Sequence, residues 1–144
     1  MDTYIALFRG INVGGKNLLP MNELVVLLED IGARNIKTYI QSGNAIDEIE
    51  QAMEENPFPE AETDPSSLHL GFLAFTPKSP DLKKLDGLKK ESERFHLTER
   101  VFYLHAPEGV GKSKLAASTE KLLGVPMTDR NWRTVCKIRE MAKE

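Results

Sequence analysis

ERFHLTERVFYLH, residues 93–105, holds two short apolar-rich segments, Glu93 to Leu97 and Arg100 to His105, on either side of Thr98-Glu99. They read as the two strands of a hairpin, although no strong turn dipeptide joins them. Upstream, Leu68 to Phe75 is a strongly apolar strand, and Ser79-Pro80-Asp81 is a helix start from which Leu82, Leu85 and Leu88 continue on one face, with Gly87 weakening the helix. Downstream, Ser113 caps a helix containing Leu115, Leu122 and Leu123 that stops at Gly124, and Met127 to Arg130 is short and extended. The order β-α-β-β-α-β from Leu68 to Arg130 is the ferredoxin-like split βαβ pattern. It predicts an α+β fold, one antiparallel sheet with helices on one face. A last helix starts at about Trp132, with Val135, Cys136 and Met141 on or near one face.

The first half repeats part of this logic. Thr3 to Phe8 reads as a buried strand that stops at Arg9-Gly10, and GINVGGKNLLP, Gly10 to Pro20, reads as a loop because it holds three glycines and two asparagines. Pro20 suits a helix start, Met21, Leu24, Val25, Leu28 and Ile31 recur at helical spacing, and Gly32 supplies a left-handed stop. Ile36, Thr38 and Ile40 alternate with polar neighbours up to the Ser42-Gly43-Asn44 turn. Asp47 and Glu50 form a D-x-x-E start signal for a short helix with Ile49, Ala52 and Met53, which Asn56-Pro57 terminates. The stretch from Pro57 to Ser67 has three prolines and no periodicity and reads as a linker.

A chain of 144 residues with 40% hydrophobic content is long enough to bury a core. Its formal charge of -3 and pI near 5.7 supply no global positive field for nucleic acid or anionic membrane. The lone Cys136 excludes an intramolecular disulfide, no charged-then-apolar leader is apparent, and no apolar run approaches the roughly 20 residues a membrane helix needs. A cytoplasmic location is expected, with no membrane partner.

Several signatures occur in order along the chain: Tyr4 to Asn17 (YIALFRGINVGGKN), Thr38 to Asn44 (TYIQSGN), Asn56-Pro57-Phe58-Pro59, Ser113-Lys114-Leu115, Leu123-Gly124-Val125-Pro126 and Arg130-Asn131-Trp132. In this combination the chain resembles the bacterial family known as domain of unknown function 1697. The resemblance implies a tandem of two ferredoxin-like plaits with no established activity. It also marks a departure, because members usually carry a further strand, helix and strand between the QSGN turn and the NPF segment. Here Asn44 and Asn56 are close in sequence. Either Asp47 to Glu55 is the second helix of a plait that has lost a strand, or it is a linker helix and nearly half a plait is absent. The expected organisation is a truncated plait-like subdomain over 1–56, a linker over 57–67 and a ferredoxin-like subdomain with a C-terminal helix over 68–144. Strands left without partners expose an edge, which predicts a homodimer built by strand pairing or exchange.

Two loops compete as sites. Ala106 to Ser113, APEGVGKS, satisfies a relaxed phosphate-loop pattern with Ala in place of the first Gly. The bland reading is a glycine-rich turn leading into a capped helix, with Lys112 and Lys114 solvated. It is preferred because the preceding strand belongs to an antiparallel hairpin and no strand ending in Asp follows. Arg9 with the Gly10 to Asn17 loop is the second candidate: glycines admit close backbone approach, a helix follows, and Arg9 and Lys16 suit phosphate or carboxylate. Its bland reading is a connection with ordinary surface charges.

Arg130-Asn131-Trp132 stands at a strand-to-helix junction, where Arg offers a bidentate fork and Asn can cap, while Trp132 is read as core. The candidate anion site is therefore Arg9, Asn12, Gly14, Gly15, Lys16, Asn44, Arg130 and Asn131. His69, His96 and His105 are isolated in strand patterns and Cys136 is on a helix's buried side, so neither a metal cluster nor a Cys-His nucleophile is indicated. Glu48, Glu50, Glu54 and Glu55 read as a solvated helix face. An RNA-stacking motif is absent and nucleic acid is not expected. No catalytic residue, metal or cofactor is assigned. The functional expectation is a binding protein for a small anionic ligand, with a homodimeric interaction module and an enzyme acting on a phosphorylated metabolite as the alternatives.

Overall fold

Pro20 precedes the first helix, α1 (Met21–Asp30), whose end is marked by Gly32 at φ 96°, a left-handed conformation that glycine adopts without steric cost. Both boundaries match those read from sequence. The computed structural model describes residues 19–34 and 46–143; the expected strands Thr3 to Phe8 and Ile36 to Ile40, and the loop from Gly10 to Leu18, lie outside the described residues. Within α1, Leu24 is buried, whereas Val26, Leu27 and, just past the helix end, Ile31 are exposed.

Helix α2 (Ile46–Glu54) begins one residue before Asp47, which therefore lies in its first turn and not at its cap as the D-x-x-E signal suggested. It ends where expected. Asn56 then turns the chain: its side-chain oxygen accepts from the Phe58 N–H at 3.0 Å, and its amide donates to Glu62 at 2.9 Å. A 3-10 turn over Pro59–Thr63 follows, and Phe58 and Ala61 within residues 57–67 are buried in the core.

From here the predicted order appears in full: β1 (Leu68–Leu73), α3 (Leu82–Leu88), β2 (Arg94–Leu97), β3 (Val101–His105), α4 (Lys114–Leu123), β4 (Met127–Asn131) and α5 (Trp132–Lys143). Asp81 caps α3 by accepting from the Lys84 N–H, and Ser113 caps α4 by accepting from the Ala116 N–H, both at 3.1 Å. Gly124, at φ 72°, stops α4. The strands form one antiparallel sheet in the order β2-β3-β1-β4, which is the ferredoxin-like arrangement.

The hairpin register corrects one detail. Arg94 pairs with His105 and Leu97 with Phe102, and the Thr98 N–H donates to Val101 O at 2.9 Å, so the turn is Glu99-Arg100 and not Thr98-Glu99. The Thr98 hydroxyl accepts from the Val101 N–H at 3.1 Å, so a side chain closes the turn that lacks a Gly dipeptide. A second correction concerns α3: Leu85 is fully buried, but Leu82 at the start of the same row is 41% exposed.

The larger correction is that helices cover both faces of the sheet. On one face Leu73, Phe102 and Leu104 pack with Leu85 of α3 and Leu115 and Leu123 of α4. On the other, Leu68, Leu70, Phe72, Val101 and Tyr103 pack beneath Ile49 and Met53 of α2 and Trp132, Val135 and Ile138 of α5, with Phe58 and Ala61 alongside. Each such apolar side chain contributes about 1.5–3 kcal/mol on burial. The Tyr103 hydroxyl donates to Ala52 O at 2.7 Å, which satisfies a carbonyl in the last turn of α2. Gly71 lets β4 approach, since a Cβ there would strike the Met127 side chain. Trp132 is buried as core, in agreement with the sequence.

Candidate functional site

Strand β4 delivers the described part of the expected site. Its register sets Arg130 opposite Leu70 and Asn131 opposite His69, so alternation sends the two side chains to opposite faces. Arg130 belongs to the face covered by α2 and α5 and is half-buried, and its Nη1 donates to Asp129 O at 2.6 Å. Burial lowers the proton affinity of the guanidinium, and the Asp129 charge opposes that effect. Asn131 uses its side-chain oxygen to accept from the Thr134 N–H at 3.0 Å, capping α5 and leaving the amide nitrogen as its donor. Arg9, Asn12, Gly14, Gly15, Lys16 and Asn44 lie outside the described residues.

Next to this junction is a pair that the sequence did not reveal. His69 Nδ1 is 2.7 Å from Asp129 Oδ2, and its Nε2 is 3.3 Å from Ser66 O. Both partners are acceptors, so the protonated ring satisfies both contacts whereas the neutral ring satisfies only one. Burial disfavours that charge, but the Asp129 bond and charge and the Ser66 carbonyl outweigh it, and the His69 pKa is raised overall. Both ring nitrogens of His69 are engaged by neighbouring groups of the chain. The ring fastens β4, an outer strand of the described sheet, to the inner strand β1.

A second polar group stands at the same end of the sheet on the other face. Arg94 forms an ion pair with Glu60, lies 4.6 Å from the Phe58 ring centroid, and reaches within 3.1 Å of His105 Nδ1. Arginine only donates, so His105 Nδ1 accepts and the ring is neutral.

The phosphate-loop lookalike is accounted for by structure. Ser113 is buried and spends its oxygen on the α4 cap, where a phosphate loop would use it on magnesium. Glu108 in the same loop is hydrogen-bonded by the Ser92 hydroxyl, and the adjacent Glu93 is a fully buried carboxylate that accepts from the Lys90 N–H at 2.8 Å. Burial raises the pKa of Cys136 and keeps it a thiol, and among the described residues no cluster of His, Cys, Asp and Glu could hold a metal ion.

The family model described as a protein of unknown function (DUF1697) matches residues 1–48 and 45–103, which together span more than half of the chain. The chain belongs to the DUF1697 family. The two matched pieces overlap at residues 45–48, next to Asn44. This DUF1697 chain also shares its fold with the conserved bacterial protein SP0830 from Streptococcus pneumoniae, at a TM-score of 0.59 and 22% identity, with 94% of this chain and 96% of that chain covered. At that identity the likeness concerns the fold alone. No curated protein matches the chain. No helix among the described residues is long and apolar enough to cross a membrane.

Proposed function

We propose that this DUF1697 protein binds a small anionic ligand, a phosphate or carboxylate, through Arg130 and the glycine-rich polar loops. The observation that carries this reading is the half-buried guanidinium of Arg130 immediately before α5. A partly desolvated cation attracts an anion more strongly than a hydrated one, because the local dielectric is lower. Arg9 and Lys16, the backbone of Gly14 and Gly15, and the amides of Asn12 and Asn44 are assigned to the same site on their chemistry. Screening phosphate, sugar phosphates, nucleotides and carboxylates by thermal shift tests the reading, because a ligand of the native state raises the unfolding midpoint.

Self-association is a second reading. Val26, Leu27 and Ile31 project exposed apolar surface from α1, and β2 and β4 are the outer strands of the described sheet. An enzyme acting on a phosphorylated metabolite is less favoured, since the histidine nearest Arg130 in the sheet, His69, is committed on both nitrogens.

A further inference from the structure

Arg94 sits at the start of β2, an outer strand of the described sheet, and ties together three pieces of chain that are distant in sequence. It bonds the Glu60 carboxylate in the 3-10 turn, lies over the Phe58 ring that precedes that turn, and donates to His105 Nδ1 at the end of β3. The ring of His105 is itself 6.3 Å from that of Phe58. Beside the core packing of Phe58 and Ala61, this one side chain gives the segment joining α2 to β1 a polar tie to the β2–β3 hairpin. One of its three contacts depends on a proton: Arg94 can donate to His105 only while Nδ1 keeps its lone pair.

We propose that Phe58, Glu60, Arg94 and His105 form an acid-sensitive latch in which protonation of His105 releases Arg94 and loosens the segment 58–63 from the sheet. A proton taken from solvent onto Nδ1 converts that atom from acceptor to donor and sets imidazolium against guanidinium at a separation where no hydrogen bond can form. The charged groups acting on His105 are Arg94 on β2, Glu60 in the 3-10 turn and Asp64 just after it. The two carboxylates become the new partners of the imidazolium, so Glu60 is drawn from Arg94 toward His105. Phe58 then loses the cation over its ring.

The direction of the His105 pKa agrees with this arrangement. Burial lowers it first and the Arg94 charge lowers it further, against the opposing pull of Glu60 and Asp64. The latch is therefore closed near neutral pH and opens on the acid side of the ordinary histidine range.

Nuclear magnetic resonance of the assigned imidazoles tests the proposal in the intact chain. His105 is expected to titrate below the ordinary value of 6.5, and Arg94→Met should move its midpoint up. In the wild type, protection of the amides of residues 58–63 from hydrogen exchange should fall as His105 protonates, and in His105→Gln, whose amide can still accept from Arg94, it should not. The same titration midpoint in wild type and Arg94→Met, or an equal loss of protection in His105→Gln, would overturn the latch.

Discussion

His69 Nδ1 and Asp129 Oδ2 meet at 2.7 Å across sixty residues of sequence, joining the inner strand β1 to the outer strand β4 just before the Arg130-Asn131 junction. Because the ring is also bonded through Nε2, this contact fixes both the end of β4 and the start of α5 on which the anion site depends.

Its pH dependence has a definite sign. The His69 pKa is raised in the folded protein, so between the unfolded and folded values the native state binds more protons than the unfolded chain. Stability from this pair is fully present below the ordinary value of 6.5 and is lost as pH rises through the folded value. Asp129→Asn, which removes the counter-charge from a buried ring, should cost about 1–3 kcal/mol in the acid range and abolish the decline. Urea midpoints compared at about pH 6 and about pH 8 measure both effects. His105 has the opposite sign, since its lowered pKa withdraws stability as pH falls. His105→Gln should therefore make the His69 decline easier to see.

Phosphate-loop chemistry is not expected at Ala106 to Ser113. Ser113→Ala should lower stability by about 1 kcal/mol, the usual cost of a lost N-cap, and Lys112→Ala should leave any nucleotide turnover at background. Magnesium-dependent ATP or GTP hydrolysis abolished by Lys112→Ala would reverse this assignment.

Self-association has its own measurement. Light scattering at high protein concentration should show a dimer, and Leu27→Glu combined with Ile31→Glu should shift it toward monomer, since both side chains are exposed, one near the end of α1 and the other at its C-cap four residues later. A strictly monomeric wild type counts against the second reading.

Local signals were legible in the sequence, and long-range ones were not. Pro20 and Gly32 bound α1, and Ser113 and Gly124 bound α4, because capping and left-handed stops are written in adjacent residues. The ferredoxin-like order followed from counting elements. The second covered face did not, because the stripe of Ile49, Ala52 and Met53 announces a buried side without naming the sheet face that buries it. The Arg94–His105 pairing was concealed by a turn centred one residue early, since centring the hairpin on Thr98-Glu99 places Arg94 opposite Tyr103. The hydroxyl of Thr98, which can close a turn on its own, was the signal that could have corrected it. His69 and Asp129 required the register of β1 on β4, which no short window contains. Arg130 and Asn131 were legible as a junction, but their division between two faces also follows from that register.

The anion site is tested most directly by isothermal titration of inorganic phosphate into the wild type, Arg130→Gln and Arg9→Glu, with the unfolding midpoint of each recorded alongside. The account predicts saturable binding to the wild type and a loss of at least about tenfold in each variant, equivalent to about 1.4 kcal/mol, with midpoints nearly unchanged. Equal affinity in all three proteins, or no saturable binding to the wild type, would contradict it.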